Sequence, residues 1–413
     1  MPPKFLLDTF PLSIEKWWWE QACQQWPGIS EDKLLNLIRQ EIVKQSDRFN
    51  KFRNFDCDAY GKRDLSILAY GNFYFSRSWT AMNFAIGEAI HLRGWNPPKN
   101  GPIRILDLGS GTGASGLSCL HTIRKSGLSN QIQLEAIDYS GKSLAFLRKL
   151  HLSQKDLWPD TQITTKRLDL KFPLDEIKRK KYDLILLGFS LNELLNEEEN
   201  EQECFKQVLF SLPERLKSNG LAVITEPAQR GICHLLHKKC AEIIPDFKDL
   251  FIHSPYFNGK SCPLSQTNSK FFSHEVRKIL PLSTVEKINR PLNLEVREVK
   301  FGLSMIGYLQ PKILGKSHEI CRIVSPLKKR KGTVSFVVIN GDSNELTYEL
   351  QRRNLYKEDL VDLMDLERGD ILKINLAEDS SQEFRHRIQN LNQIQPIFMP
   401  RVRQDESSKN SSM

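Results

Sequence analysis

In "ILDLGSGTGASGLS" (residues 105–118), Gly109, Gly111 and Gly113 stand at alternate positions behind an apolar run that ends in Asp107. Residues without a Cβ let the backbone bend sharply and lie against a ligand. Ser110 sits inside the same turn, and the helix expected from Gly113 onward opens with free amide N–H groups. This geometry suits a nucleotide-like molecule, although the spacing alone also fits dinucleotide folds. Asp107 discriminates between them. A carboxylate aimed into the site repels a pyrophosphate and favours a ligand with an ammonium and a sulfonium, as S-adenosylmethionine has. Asp138 in "AIDYS" ends the next apolar run and can accept from both hydroxyls of a ribose, a role NAD would use equally. Asp169 in "RLDL" ends the third run; either it reaches an adenine edge or it caps the segment that follows.

The substrate side of such a site follows the fourth apolar run, where the chain reads "FSLNEL". Asn192 and Glu193 are the polar candidates there; the plain alternative is a strand-to-helix turn. Methyl transfer is an in-line displacement that depends on holding the nucleophile close and aligned. A base amine needs little acid–base help, whereas a carbon nucleophile usually needs a cysteine. No NPPY-like or DPPY-like segment and no proline–cysteine pair stands here. Glu226, before Pro227, is either structural or part of the pocket. A GxxxxGK[ST] loop is absent, so a P-loop nucleotidase is not expected. His234 and His237, with Cys233 and Cys240 nearby, read as a helical surface with core-facing cysteines rather than a metal cluster.

These residues need a scaffold. Between residues 103 and 310, short apolar strands alternate with helical segments: "IRILDL", "QIQLEAID", "QITTKRLDL", "YDLILLGF", "GLAVITE" and "FKDLFIH". Such alternation predicts an α/β domain with a parallel sheet and helices on both faces. "VKFGLSMIGYL" is a later strand, expected antiparallel at the sheet edge after an irregular insertion at 254–297. Residues 1–98 read as helical: "DKLLNLIRQEIVKQSDRF" repeats Leu34, Leu35, Ile38, Ile42 and Val43 at helical spacing, and Trp17–Trp19 reads as a packing anchor. Residues 99–312 form the sheet domain and 313–400 a small β module, OB-like in its simplest reading. Residues 401–413 are polar and expected to be disordered.

Bulk properties narrow the class. The 413 residues are 40% hydrophobic and 26% charged, which suits a globular chain. No apolar run reaches the roughly 18 residues of a membrane span. No export signal opens the chain, so the eight scattered cysteines are expected to be reduced thiols. A net charge of +9 favours a polyanionic partner. The densest basic runs are "KRKK" at 178–181, read as a solvated face, and Lys328, Lys329, Arg330 and Lys331, a candidate RNA contact.

With these parts placed, the chain resembles class I S-adenosylmethionine-dependent methyltransferases. More narrowly, it resembles the methyltransferase-like family of the small ribosomal subunit, found in mitochondria and bacteria. The likeness is carried by "LAYGNFYFSRSWTAMNFAI", "ILDLGSGTGASG", "YDLILLGFSLNELL", "LAVITEPAQRG", "SCPL" and "SPLKKRKGTVSFVV". It implies a Rossmann-like sheet with an N-terminal helical region and a C-terminal β module, S-adenosylmethionine as cofactor, and rRNA or a ribosomal protein as substrate. The alternative is a non-catalytic assembly factor that binds rRNA and keeps the fold. Cytoplasm is the expected compartment, with the mitochondrial matrix second and no membrane. Many members of that family hold an iron–sulfur cluster on four cysteines. Here Ser254 stands where the first is expected and Cys262 alone remains, so no cluster is expected.

Overall fold

The computed structural model describes residues 5–47, 61–171, 180–195, 200–257, 259–375, 381–382 and 385–403. The chain opens with a short strand, β1 (Phe5–Leu7), and four helices: α1 (Leu12–Gln25), α2 (Glu31–Asp47), α3 (Asp64–Phe73) and α4 (Phe75–His91). In α2 the stripe Leu34, Leu35, Ile38 and Ile42 is buried, whereas Val43, read as part of it, is 42% exposed. Trp18 is buried and stacks on Phe146 at 5.7 Å, so the tryptophan run is a packing anchor as expected. α4 is buried on every side from Ser78 to Ala89, polar residues included, because it is wedged between the other helices and the sheet.

The sheet domain contains β2 (Ile103–Leu108), α5 (Ala114–Lys125), β3 (Ile132–Asp138), α6 (Gly141–Ser153), β4 (Thr161–Arg167), β5 (Tyr182–Gly188), α7 (Asn200–Arg215), β6 (Leu216–Pro227), α8 (Arg230–Ile243), β7 (Phe251–Ser254), β8 (Glu275–Lys278), α9 (Ser283–Asn289) and β9 (Glu298–Gly307). Its strand order is β4-β3-β2-β5-β6-β9-β7, with β8 also paired to β9. β2 to β6 are parallel, and β9 runs antiparallel to both β6 and β7. β9 was expected at the sheet edge. It lies instead inside the sheet, between β6 and β7. Its residues from Phe301 to Gly307 are buried on both faces, which is the pattern of an inner strand. Nor is the insertion wholly irregular, since it contains β8 and α9. α4, α5 and α6 cover one face of the sheet and α7 and α8 the other.

The C-terminal module is β10 (Ile320–Ile323), β11 (Lys328–Arg330), β12 (Thr333–Asn340), β13 (Glu345–Gln351), α10 (Lys357–Met364), β14 (Ile371–Ile374), β15 (Ser381–Gln382), β16 (Arg385–Ile388) and β17 (Ile394–Phe398). These strands form a second sheet in the order β15-β16-β13-β12-β10-β14-β17, with β11 on β12. A last strand, β18 (Pro400–Val402), pairs in parallel with β1 and ties the two ends of the chain together. Arg401 and Val402, placed in the disordered tail from sequence, are therefore ordered; residues 404–413 lie outside the described set. The described cysteines are free thiols, and no described helix is long and apolar enough to cross a membrane.

Candidate active site

At the C-terminal ends of β2 to β6 lies a cavity of about 610 Å³. Such a crevice is where open α/β sheets bind ligands. Gly109, Ser110 and Gly111 form one wall. The three turn glycines all have positive φ but answer to different neighbours. A Cβ on Gly109 would lie 2.4 Å from the Ser190 side chain, and one on Gly113 would lie 2.2 Å from Leu147. Both are packing requirements of the protein itself, and Gly113 does not line the cavity. A Cβ on Gly111 would meet nothing within 4 Å, so its bare backbone is what the turn presents to a ligand.

Asp138 fixes that turn. Its Oδ2 accepts from the Gly111 amide at 2.8 Å, and its Oδ1 from the Ser140 amide at 2.7 Å. Burial raises its pKa to about 6 against the pull of these two donors. It lines the cavity with two lone-pair sites still unused. Asp169 also lines the cavity, while its Oδ1 accepts from the amide of Lys171, a turn-capping bond. The capping reading of Asp169 is met by this bond, and its place on the cavity leaves the contact with an adenine edge as an expectation.

Asp107 requires a correction. It is fully buried and does not line the cavity. Its carboxylate lies under the first turns of α5, where a Cβ on Gly116 would come within 2.7 Å of Oδ2. Burial raises its pKa to about 7. The strand's alternation explains the placement. Ile103, Ile105 and Asp107 share the face toward α4 and α5, while Leu106 and Leu108 face α7 and α8. In this structure Asp107 therefore does not border the space a ligand would fill.

Asn192 and Glu193 both line the cavity, on a 3₁₀ turn (Leu191–Leu194) behind β5. The turn is held from below by Glu226, which is fully buried and outside the cavity. Its two oxygens accept from the amides of Leu191 and Asn192 at 2.9 and 3.1 Å. The Asn192 side-chain nitrogen donates to the carbonyl of Phe189 and to Glu226 Oε2, which makes Asn192 a positioning residue. Phe189, entering this turn, has φ 58°. A bulky residue in that region is strained by about 1–3 kcal/mol and is typical of a site over-determined by its surroundings. Glu193 is different. It is half-buried, and burial first, then Asp138 and Glu226, raise its pKa to about 8.

The other wall lies outside the sheet motifs. Tyr70 of α3, Tyr74 between the helices, and Arg77 and Ser78 of α4 line it, together with Leu294, Glu295 and Lys300. Tyr70 donates to Ser78 Oγ at 2.9 Å, and Arg77 donates to the carbonyls of Glu295 and Glu298. None of these was assigned a role from sequence; the only pointer was the stretch "LAYGNFYFSRSWTAMNFAI". The basic run is elsewhere. Lys328, Lys329 and Arg330 form β11, and Lys331 follows it; all four are exposed and none lines the cavity. Lys178 and Arg179 of the other run lie outside the described residues. In α8, Cys233 and Cys240 face the core as expected. His237 is buried beside them, its Nε2 at 3.0 Å from the Leu303 carbonyl, and only His234 is partly exposed.

No family model matches the sequence, and no curated protein is found similar to it. Solved structures similar to the chain include a precorrin-6y C5,15-methyltransferase from Geobacter metallireducens (10% identity, 56% of this chain and 87% of that one, TM-score 0.30). Another is an S-adenosylmethionine-dependent methyltransferase from Clostridium acetobutylicum (11%, 84% and 95%, 0.26), and a third one from Agrobacterium tumefaciens (13%, 56% and 62%, 0.34). The strand order and the single reversed strand seated between the last two parallel ones fit the class I methyltransferase fold.

The raised pKa of Glu193 has a testable sign. The folded protein holds a proton that the unfolded chain releases near the ordinary glutamate range. The associated stability is complete below that range and drains away as pH rises to about 8. Glu193→Gln, neutral throughout, should melt above the parent chain by a margin that widens from pH 5 to pH 8.5. A margin independent of pH in thermal unfolding would refute the assignment.

Proposed function

We propose that this chain is an S-adenosylmethionine-dependent methyltransferase acting on the RNA of the small ribosomal subunit, in the cytoplasm. The observation that carries the cofactor is the meeting of the bare Gly111 backbone, Asp138 and Asp169 on one cavity. The donor set fits the group. Ser110 Oγ, on the cavity wall, is buried without a partner, and Asp138 has acceptor capacity left for ribose hydroxyls. Bound there, the cofactor supplies an electrophilic methyl carbon on a sulfonium. Asp138 orients the sugar, the Asp169–Lys171 turn borders the base, and Asn192 with Glu226 holds the 3₁₀ turn in register. Glu193 holds its own proton at neutral pH; only its ionised form, which grows as pH rises toward about 8, takes the proton that a methylated amine must lose.

The ribosomal half rests on the resemblance, on the net charge of +9 and on the β module. Its strands β10, β12, β13, β14 and β16 pair in the order fifth-third-second-first-fourth, with the third and fifth parallel. That order supports an OB barrel, whose first-to-second connection commonly contacts oligonucleotides. Lys328, Lys329, Arg330 and Lys331 sit in that connection. The second reading, an RNA-holding assembly factor that retains the fold, is favoured by "FSLNEL", which carries no amine-methylation signature. Purified immature small subunits incubated with the chain and methyl-labelled cofactor should acquire label in their RNA. Binding of the subunits without any transfer would leave only the second reading.

A further inference from the structure

Phe272 lies where three parts of the chain meet. It belongs to the segment between β7 and β8. The guanidinium of Arg230, which opens α8, is 5.4 Å from its ring centroid, and that of Arg368, from the β module, is also at 5.4 Å. The ring of His274 lies at 4.2 Å and that of His234 edge-on at 6.4 Å. Next to it, Lys270 sits over Phe271 at 5.2 Å.

None of these three cations makes an ion pair with a carboxylate among the described residues. Arg230 donates to the carbonyls of Ser269 and Lys270, and Arg368 to that of Phe272. Glu275, the acid that acts most on Arg368, is already taken: Oε2 by Arg277 and Oε1 by Arg322. Arg368 Nε, His234 Nε2 and His274 Nδ1 are buried polar atoms without partners. Like charges gathered in this way repel one another and create a strong local field for an anion.

The position of the cluster says which anion. Arg230 follows Gln229, which lines the cavity. His274 precedes β8, whose Val276 is opposite Lys300, and Lys300 also lines the cavity. On the far side, Ser269 Oγ donates to Glu345 at the start of β13. The cluster therefore connects the mouth of the cavity to the β module. Arginines interleaved with rings suit a polymer that offers phosphates and flat bases together.

We infer that the seam of Arg230, Lys270, Phe272 and Arg368 binds the phosphodiester backbone of single-stranded RNA between the cavity and the β module. This rests on the reading of RNA as the substrate. The test is fluorescence anisotropy of a labelled single-stranded oligoribonucleotide titrated with the full chain across a salt series. Arg230→Gln, Lys270→Gln and Arg368→Gln should each weaken binding several-fold and reduce the salt slope by about 0.7 for every phosphate no longer neutralised. Titration of the same variants with S-adenosylmethionine should match the parent chain. If the parent binds no cofactor, the methyltransferase reading fails while the RNA result stands by itself. Arg368 is half-buried at the seam, so the exposed Arg230 and Lys270 variants decide the matter should Arg368→Gln unfold. Parental salt slopes in both would overturn the proposal. So would weakened binding of a polyglutamate peptide with RNA binding intact.

Discussion

Calorimetric titration of the Asp138→Ala chain with S-adenosylmethionine should show binding weakened by about 100-fold or more. Asp138 does two things at once. Its oxygens hold the amides of Gly111 and Ser140, and so shape both the glycine turn and the start of α6. Its remaining lone pairs face the cavity, where a ribose would offer two hydroxyls. Hydrogen bonds to a charged acceptor contribute about 1.5–3 kcal/mol each, so removing two of them from the ligand amounts to about 3 kcal/mol or more. Asp138→Asn tests the same point more gently, because an amide has one accepting atom and must turn its NH₂ toward an amide or a hydroxyl. Asp169→Ala should cost less, since that carboxylate anchors only its own turn. The wild-type site should also weaken below about pH 6, as Asp138 gains a proton and loses an acceptor. Binding within a few-fold of wild type in Asp138→Ala would mean that the ligand does not lie on this turn.

The glycine turn and the acids ending the second and third parallel strands were legible because they depend on local order: strand, turn and helix are consecutive in the chain. What misled was parity. Asp107 ends the same strand as the turn begins, but counting in twos from Ile103 puts it with the residues packed under α5. Gly116 was the overlooked signal, a glycine inside a helix whose missing Cβ leaves room for that carboxylate. The place of β9 was also written in its own residues. "FGLSMIG" is apolar on both faces, which an edge strand facing water would not be. The cavity wall from α3, α4 and residues 294–300 was not legible, because its contacts join segments more than two hundred residues apart. Nothing in the local pattern of Tyr70 or Arg77 separates a ligand-facing side chain from a core one. The strands of the β module could be seen singly, while the parallel pairing of β13 with β16 depends on the intervening chain turning back.

Arg322→Met should destabilise the chain more than any single change in the cavity, by about 3–5 kcal/mol. Arg322 lies in β10 and is 2% exposed. It donates to Glu88 of α4 at 3.2 Å, to Glu275 of β8 at 2.7 Å and to the carbonyl of Pro255 at 2.6 Å. These partners belong to the helical region, the sheet and the insertion, so one guanidinium joins the β module to all three. The surrounding charges balance. Glu88, Glu275, Glu367 and Asp370 are buried among Arg93, Arg277, Arg322 and Arg401. Methionine can fill much of the arginine's volume, but it leaves one buried negative charge in excess. Adding Glu275→Gln removes that excess and should recover part of the loss, whereas changes at independent sites would simply sum. Acid titration gives a second readout. Burial alone would raise the pKa of Glu88, but Arg322 and Arg93 bring it down to about 2. Its contribution is therefore present above the ordinary glutamate range and lost only as pH falls toward about 2. In Arg322→Met the acid loss should begin at a higher pH. If the double change is no better than the single one, and the acid transition stays where it was, the network does not act as a balanced unit. The module would then be held by its apolar contacts and by β1 on β18.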